Sequence, residues 1–383
     1  PEAVAAIERG LRVVSMPQAL REHVLDSRRP FVVAGTHGKT TTSTLLSYLL
    51  RTVGIDAGFF IGGIPLNLER SSKLGAPGAP FVIEGDEYDS AFFDKVPKFW
   101  GYAPQAAVLS SVEYDHIDIY PNEEAYFHAF EHFVGLIPED GWLFAWAGDP
   151  RVRQVTAKAR CRLRFYALDE DDCGGLSPMW LGSRAPGGAL DIFGGGSSCG
   201  RAQLPLYGKH NARNTLAALA MASEAAGAPL ERLINALPGF AGSKRRQELV
   251  GIANGVHVFD DFAHHPTAVR ETLDGIAERF PQGKLIAVFE PRSATASRQL
   301  HQKSYTQSFD AADVCVLAPV GRPEIGDSER LDTSMIAQAL RGQGKTAHAC
   351  DSIAETVETA AAHAESGDVV VVMSNGRFGD APD

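Results

Sequence analysis

The stretch whose reading decides the fold is Ala34-Gly35-Thr36-His37-Gly38-Lys39-Thr40-Thr41-Thr42. It follows the apolar run Phe31-Val32-Val33 and precedes Leu45, Leu46, Leu49 and Val53, which recur at helical spacing until Gly54 stops them. The order is strand, glycine loop, helix. Glycines let backbone N–H groups curl around an anion, and a helix starting near Thr40 turns its positive end to the same point. Lys39 is expected to reach the outer phosphates of a nucleotide, and the Thr40 hydroxyl to ligate Mg2+. Two residues separate the glycines where the general phosphate loop has four. The string alone is therefore a weak signal, and its place between a strand and a helix carries the reading.

At 383 residues the chain is too long for one compact core and suggests two domains with a fragment of a third. Its apolar runs, such as Val369 to Met373, are far too short to cross a bilayer, and no segment resembles a signal peptide. The net charge of −11, with neither a basic stripe nor an acidic tail, argues against a nucleic-acid surface. Anionic ligands must then be held by local positive sites. The five cysteines have no CxxC or metal-ligand spacing and read as packing or surface thiols of a reducing compartment.

Further along, Phe81-Val82-Ile83 delivers Glu84-Gly85-Asp86-Glu87 at a strand end, and Ala106 to Leu109 delivers Ser111 to His116. Ligands of open α/β sheets collect at such ends. A carboxylate aimed at phosphates needs a cation between them, which suggests a Mg2+ role for Glu84. His116 taken alone reads either as a ligand or as a structural hydrogen-bonding group. Asn122 to Leu136 has a cap residue, two early glutamates and apolar residues at helical spacing. Nine glycines between Asp171 and Gly200 suggest hairpins and surface loops outside the core. A helix is expected over Asn211 to Ala226. Past a boundary at Pro238 to Ser243, strand-like runs at Val256–Phe259, Lys284–Phe289, Val314–Leu317 and Val369–Met373 alternate with helical segments. That pattern predicts a second α/β domain with a mainly parallel sheet.

The motifs GTHGKTTT (35–42), EGDEYDS (84–90), EYDHID (113–118), GKHNARN (208–214), FAGSKRRQE (240–248), DDFAHHPT (260–267) and EPRS (290–293) together resemble the Mur ligase family and occur in its order. These are ATP-dependent enzymes that join amino acids or peptides to UDP-N-acetylmuramic acid. The resemblance implies an α/β protein with a P-loop-type central ATPase domain over 26–240 and a C-terminal Rossmann-like α/β domain over 241–383. Residues 1–25 resemble a remnant of the family's N-terminal UDP-sugar domain, whose own glycine-rich loop has no counterpart here. A truncated chain is therefore expected, one that binds ATP yet ligates poorly or not at all.

Roles follow from the matching positions. Gly35, Thr36, Gly38, Lys39, Thr40 and Thr41 are expected to cradle ATP. Thr40, Glu84 and His116 would hold Mg2+, so the resemblance favours the ligand reading of that histidine. His210 and Asn214 match residues that read the adenine, and Arg246 matches one that contacts the γ-phosphate. Asp260 matches a ribose contact, and Phe262 stands where a related subgroup has a tyrosine against the base. Lys39, Glu84, His116 and Arg246 are the expected catalytic set. His264, Arg292 and Ser293 are expected to hold the second substrate.

Two departures narrow the branch. Ser111 stands where many relatives have asparagine. The 121–138 stretch has no lysine, whereas several Mur ligases carry a carbamylated lysine there. The remaining choice lies between adding L-alanine to UDP-N-acetylmuramate and adding the recycled tripeptide L-alanyl-γ-D-glutamyl-meso-diaminopimelate. The run Glu87 to Lys95, with Phe289–Ser293 and Ser374-Asn375-Gly376, resembles the tripeptide enzymes. The non-enzymatic alternative is a nucleotide-binding module. A cytoplasmic bacterial protein is expected, monomeric or weakly homodimeric, with neither a nucleic-acid nor a membrane partner.

Overall fold

In a computed structural model of the chain, residues 2–322 and 324–380 are described; the parts of the expected domains at Pro1, Pro323 and 381–383 lie outside the described residues. The chain forms two compact units. The first comprises residues up to Tyr114, Ile119–Gln203 and Arg213–Phe240. The second comprises Asp115–Asp118, Leu204–Ala212 and the chain from Ala241 onward.

Among the described residues, the first unit holds a ten-stranded sheet. Its order is Ser197–Gln203, Ala189–Gly194, Trp180–Ala185, Arg162–Leu168, Trp142–Trp146, Ala106–Leu109, Arg29–Ala34, Pro80–Gly85, Gly58–Phe60, Ser72–Lys73. Phe31, Val32, Val33 and Ala34 are wholly buried, as a continuous apolar run in a parallel sheet should be. Arg29–Ala34 pairs parallel with a strand on either side, and Ala34 is opposite both Gly85 and Leu109. Three strands therefore end level, and the segments that follow them, at Gly35, Asp86 and Ser110, leave the sheet along one edge. The helix Glu123–Gly135, capped by Asn122 Oδ1 accepting from Ala125 N, buries Tyr126, Phe130 and Phe133 in the core with Val32, Ile83 and Leu109.

The glycine-rich segment between Asp171 and Gly200 forms the expected hairpins, but its exclusion from the core is corrected. Trp180–Ala185 joins the main sheet parallel to Arg162–Leu168, and Leu190 and Ile192 are wholly buried. Their period-two alternation turns one face of a glycine-rich ribbon inward. The expected helix at 211–226 begins earlier, at Lys209, runs to Ala220 and widens into a π turn over Met221–Ala225.

The second unit contains a six-stranded sheet among its described residues, ordered Glu248–Ala253, Val256–Asp261, Val369–Met373, Leu285–Phe289, Val314–Leu317, Thr346–Ala349. All pairings are parallel except the first. Helices Pro266–Arg279, Gln302–Ser308 and Thr333–Gly342 bury Val269, Leu273, Tyr305 and Ile336 in one cluster with Phe309. Helix Ile353–His363 contributes Ala360 to another, with Ile286, Val288 and Val316. The four strands expected from sequence are present. The two missed strands lie at the sheet's edges. Glu248–Ala253 exposes Leu249, Val250 and Ile252, and Thr346–Ala349 is too short and polar to carry a periodic signal.

Candidate active site

The glycine loop is built by close backbone packing. Gly35 and Gly38 have φ of +128° and +80°, and a Cβ on Gly35 would lie 2.3 Å from Ser110 Oγ. A side chain at Gly35 would collide with Ser110 and Ser111, so this close approach needs glycine. The loop is laced to the segment after the neighbouring strand. Thr36 N donates to Ser111 O, and the Thr36 hydroxyl donates to Glu113 O at 2.9 Å and accepts from Glu113 N. His37 N donates to Ser111 Oγ at 3.0 Å, so this serine holds the loop itself. His37 Nε2 lies 2.8 Å from the Glu113 carboxylate.

Lys39 opens the helix Lys39–Thr52, whose first turn also buries Thr40 and Thr41. Its ammonium donates to Gly35 O at 2.7 Å and Thr36 O at 3.2 Å, and stands 2.8 Å from a Glu87 carboxylate oxygen. Glu87 is wholly buried. Burial pushes the lysine's pKa down, but the negative charges of Glu87 and Asp86 outweigh it, leaving the ammonium above its ordinary range. Thr40 Oγ1 donates to one oxygen of Glu84 at 3.1 Å, and Gly62 N donates to the other at 2.8 Å. A hydroxyl and a carboxylate thus meet where the helix begins and the strand Pro80–Gly85 ends. Two hard oxygen donors beside a lysine suit Mg2+ on a nucleotide phosphate, so the residues present fit both.

His116 lies in Asp115–Asp118, within the second unit, with a left-handed backbone at φ +57°. For a residue other than glycine this conformation is costly and marks a segment held in place by its surroundings. Its neighbour Asp115 is buried. Burial favours the neutral acid, yet His116, His265, His264 and a hydrogen bond with Thr295 hold the carboxyl well below the usual range.

Arg246 sits between two further left-handed residues, Arg245 and Gln247. Its guanidinium carbon lies 4.9 Å from the Phe262 ring centre, and that of Arg245 lies 5.3 Å away. Asp260 is buried and accepts from Arg245 Nε at 3.0 Å; burial raises its pKa beyond what the arginine offsets. His210 and Asn214 stand four residues apart on the helix Lys209–Ala220, hence on one face. Their neighbour Asn211 donates to Tyr207 O and Gln247 Oε1.

His264 Nδ1 lies 2.9 Å from Phe262 O, an acceptor, so Nδ1 carries the proton and Nε2 is left as the basic nitrogen. Burial holds this imidazole below its ordinary pKa, and so neutral near pH 7, despite the pull of Asp115. Arg292 Nη1 donates to the buried carboxylate of Glu290 at 3.3 Å and borders a cleft of about 470 Å³ lined also by Gly321, Arg322, Glu324 and Asn375. Ser293 is buried, and its Oγ accepts from Ala296 N, so that hydroxyl is engaged in a local turn.

Residues 33–222 match the Mur ligase middle domain, and residues 245–376 match the Mur ligase glutamate ligase domain. The UDP-N-acetylmuramate–L-alanyl-γ-D-glutamyl-meso-2,6-diaminoheptandioate ligase of Escherichia coli is 35% identical over 99% of this chain and 80% of its own length. The chain belongs to the Mur ligase family. Mur ligases are ATP-dependent enzymes that form C–N bonds, and the two α/β units of this Mur ligase carry the family's two matched domains. The crystal structure of a murein peptide ligase from Psychrobacter arcticus matches with a TM-score of 0.70 and 35% identity, over 99% of this chain and 81% of that one. The UDP-N-acetylmuramate–L-alanine ligase of Roseiflexus is 32% identical over 98% of this chain and 81% of its length.

Sequence reasoning did not single out Glu87, Asp115 or Glu290, each a buried carboxylate. One signal was available, since a lysine enclosed by a backbone loop needs a counter-ion. Three carboxylates follow the strand in EGDE, however, and spacing alone does not choose among them.

Proposed function

We propose that this Mur ligase uses ATP to join the lactyl carboxylate of UDP-N-acetylmuramate to the amine of L-alanyl-γ-D-glutamyl-meso-diaminopimelate, a step of peptidoglycan recycling in the bacterial cytoplasm. The observation that carries the ATP reading is the Thr40–Glu84 contact of 3.1 Å beside Lys39 at the mouth of the glycine loop. The choice of amine is supported by the activity for which the Escherichia coli relative is named and by the Glu87–Lys95 motif.

In this reading the carboxylate attacks the γ-phosphorus, ADP leaves, and an acyl phosphate forms. The peptide amine then attacks the acyl carbon, and the C–O bond to phosphate breaks. Lys39 and Arg246 supply positive charge to the phosphates, and the His210–Asn214 face and Phe262 hold the adenine. Asp260 is assigned to the ribose, with Arg245 sharing its charge. Thr40, Glu84 and His116 would hold Mg2+, which when bound draws charge off the phosphate oxygens. Arg292 recognises a carboxylate of the peptide, with Ser293 shaping the turn beside it. His264, neutral and with Nε2 available, takes the amine's proton.

A second reading, ligation of L-alanine, is favoured by the 32% identity to the Roseiflexus alanine ligase. Phosphate release by the full-length protein with ATP, Mg2+ and UDP-N-acetylmuramate separates the two. Faster turnover with the tripeptide is expected, and faster turnover with free L-alanine overturns the choice. Nucleotide binding without release for either amine would leave only the non-catalytic module.

A further inference from the structure

We propose that Glu87 sets the nucleotide affinity of the site by competing with a nucleotide phosphate for the ammonium of Lys39. The proposal rests on reading the glycine loop as the phosphate site. An ammonium has three N–H donors and no acceptor. Those of Lys39 are already committed to three protein groups: Gly35 O at 2.7 Å, Thr36 O at 3.2 Å, and Glu87, whose oxygens lie at 2.8 and 3.1 Å. A phosphate oxygen gains a donor only by displacing one of these.

The two carbonyls are neutral and belong to the loop itself. Glu87 is the anion of the three, with the same sign of charge as the incoming phosphate. Its neighbours at the strand end are engaged elsewhere. Asp86 accepts from Lys98 Nζ at 2.7 Å, and Glu84 accepts from Thr40 and Gly62. Glu87 is fixed from behind, since its backbone carbonyl accepts from the Tyr120 hydroxyl at 2.7 Å, and its side chain has no exposed surface. A carboxylate so enclosed is strongly destabilised when its cation is drawn away. If Lys39 is shared, two anions crowd one ammonium; if it is surrendered, a buried carboxylate loses the cation 2.8 Å away. In both cases Glu87 opposes the phosphate, and the other contacts of a nucleotide must make up the difference. A small anion with fewer contacts is thereby disfavoured.

The test is calorimetric titration of the whole chain at fixed Mg2+ with a non-hydrolysable ATP analogue and, separately, with adenosine. Glu87→Gln keeps the shape and one acceptor for Lys39 but removes the charge. It is expected to tighten the analogue roughly tenfold, the scale of one charge-assisted hydrogen bond, and to leave adenosine unchanged. Should that variant fail to melt cooperatively, Glu87→Asp, which withdraws the carboxylate by one methylene, carries the same expectation with a smaller gain. Unchanged or weaker analogue binding in the folded variant overturns the proposal, as does equal tightening of adenosine. A wild-type chain that binds neither probe overturns the nucleotide reading itself, and this proposal with it.

Discussion

Asn214 stands directly against Gly38: a Cβ on that glycine would lie 2.5 Å from Asn214 Oδ1 and 3.3 Å from its Cγ. Gly38 also has φ +80°, in the left-handed region, and precedes the first turn of the helix Lys39–Thr52. Glycine meets both demands without strain, so the loop and the proposed adenine-reading residue constrain each other. Gly38→Ala is expected to cost about 1–2 kcal/mol in backbone strain, with the contact at Asn214 adding to it, and to remove most nucleotide affinity. Gly54→Ala is the control, because that residue has φ +95° but nothing within 4 Å of its Cβ position. It should lower the melting temperature while keeping nucleotide affinity. Similar affinity losses in both variants would sink the argument.

Glu84 joins two elements, taking Gly62 N on one oxygen and the Thr40 hydroxyl on the other. Glu84→Gln keeps an acceptor for one of them but removes the charge that a cation needs. Turnover is expected to fall on the order of 10²–10³-fold, with the Mg2+ concentration for half-maximal phosphate release displaced upward. Thr40→Val, which keeps the shape and loses the hydroxyl, should move the same curve in the same direction. A Mg2+ dependence identical to wild type in both variants would remove these residues from the metal assignment.

The first unit's fold was legible because one short stretch states it. Phe31 to Leu46 contains a strand, a turn that requires glycine and a helix start, and each leaves a local chemical mark. Glu84 was legible for the same reason, as a charged residue that ends an apolar strand. What the sequence withheld was pairing at a distance. The ion pair between Lys39 and Glu87 spans 48 positions and is chosen by burial. The edge strands Glu248–Ala253 and Thr346–Ala349 were invisible because an edge has no uniform inside and outside to impose alternation. The Leu190–Ile192 ribbon was obscured by glycines whose conformational freedom masks a two-residue period. The bond from Ala296 N to Ser293 Oγ is a local turn contact that the EPRS motif does not announce.

His348 and His363 face each other with Nε2 atoms 3.0 Å apart, so one donates and the other accepts. Burial holds His348 below its ordinary pKa of 6.5, and the positive charge of His363 and Arg341 adds to this. The folded pKa is the lower one, so on acidification the unfolded chain takes the proton first. The stability tied to this pair is therefore present above about pH 6.5 and is lost as pH falls below it. Wild type should lose more melting temperature between pH 7.5 and 5.5 than His348→Asn does. Parallel curves for the two proteins would show that the pair does not govern this range.

The stem of Arg292 passes between two glycines. A Cβ on Gly376 would lie 2.2 Å from Arg292 Cδ and 2.4 Å from Nε, and one on Gly321 would lie 2.9 Å from Cγ. The guanidinium is steered by Glu290, whose second oxygen accepts from Ser374 Oγ, and Ser374 Oγ in turn accepts from Gly376 N. Glu290 is 2% exposed, so its carboxyl group is held in place and the arginine is aimed by a rigid group. Gly376→Ala must push Arg292 out of this slot, while the glycine loop in the other unit is untouched in sequence. The KM for the peptide is expected to rise roughly tenfold or more, the scale of a lost charge-assisted contact, with nucleotide affinity unchanged. Gly321→Ala should act in the same direction but less, because its nearest contact is a longer one to a flexible stem. If Gly376→Ala instead weakens nucleotide binding and leaves the peptide's KM alone, Arg292 serves the phosphates and the peptide must be held elsewhere.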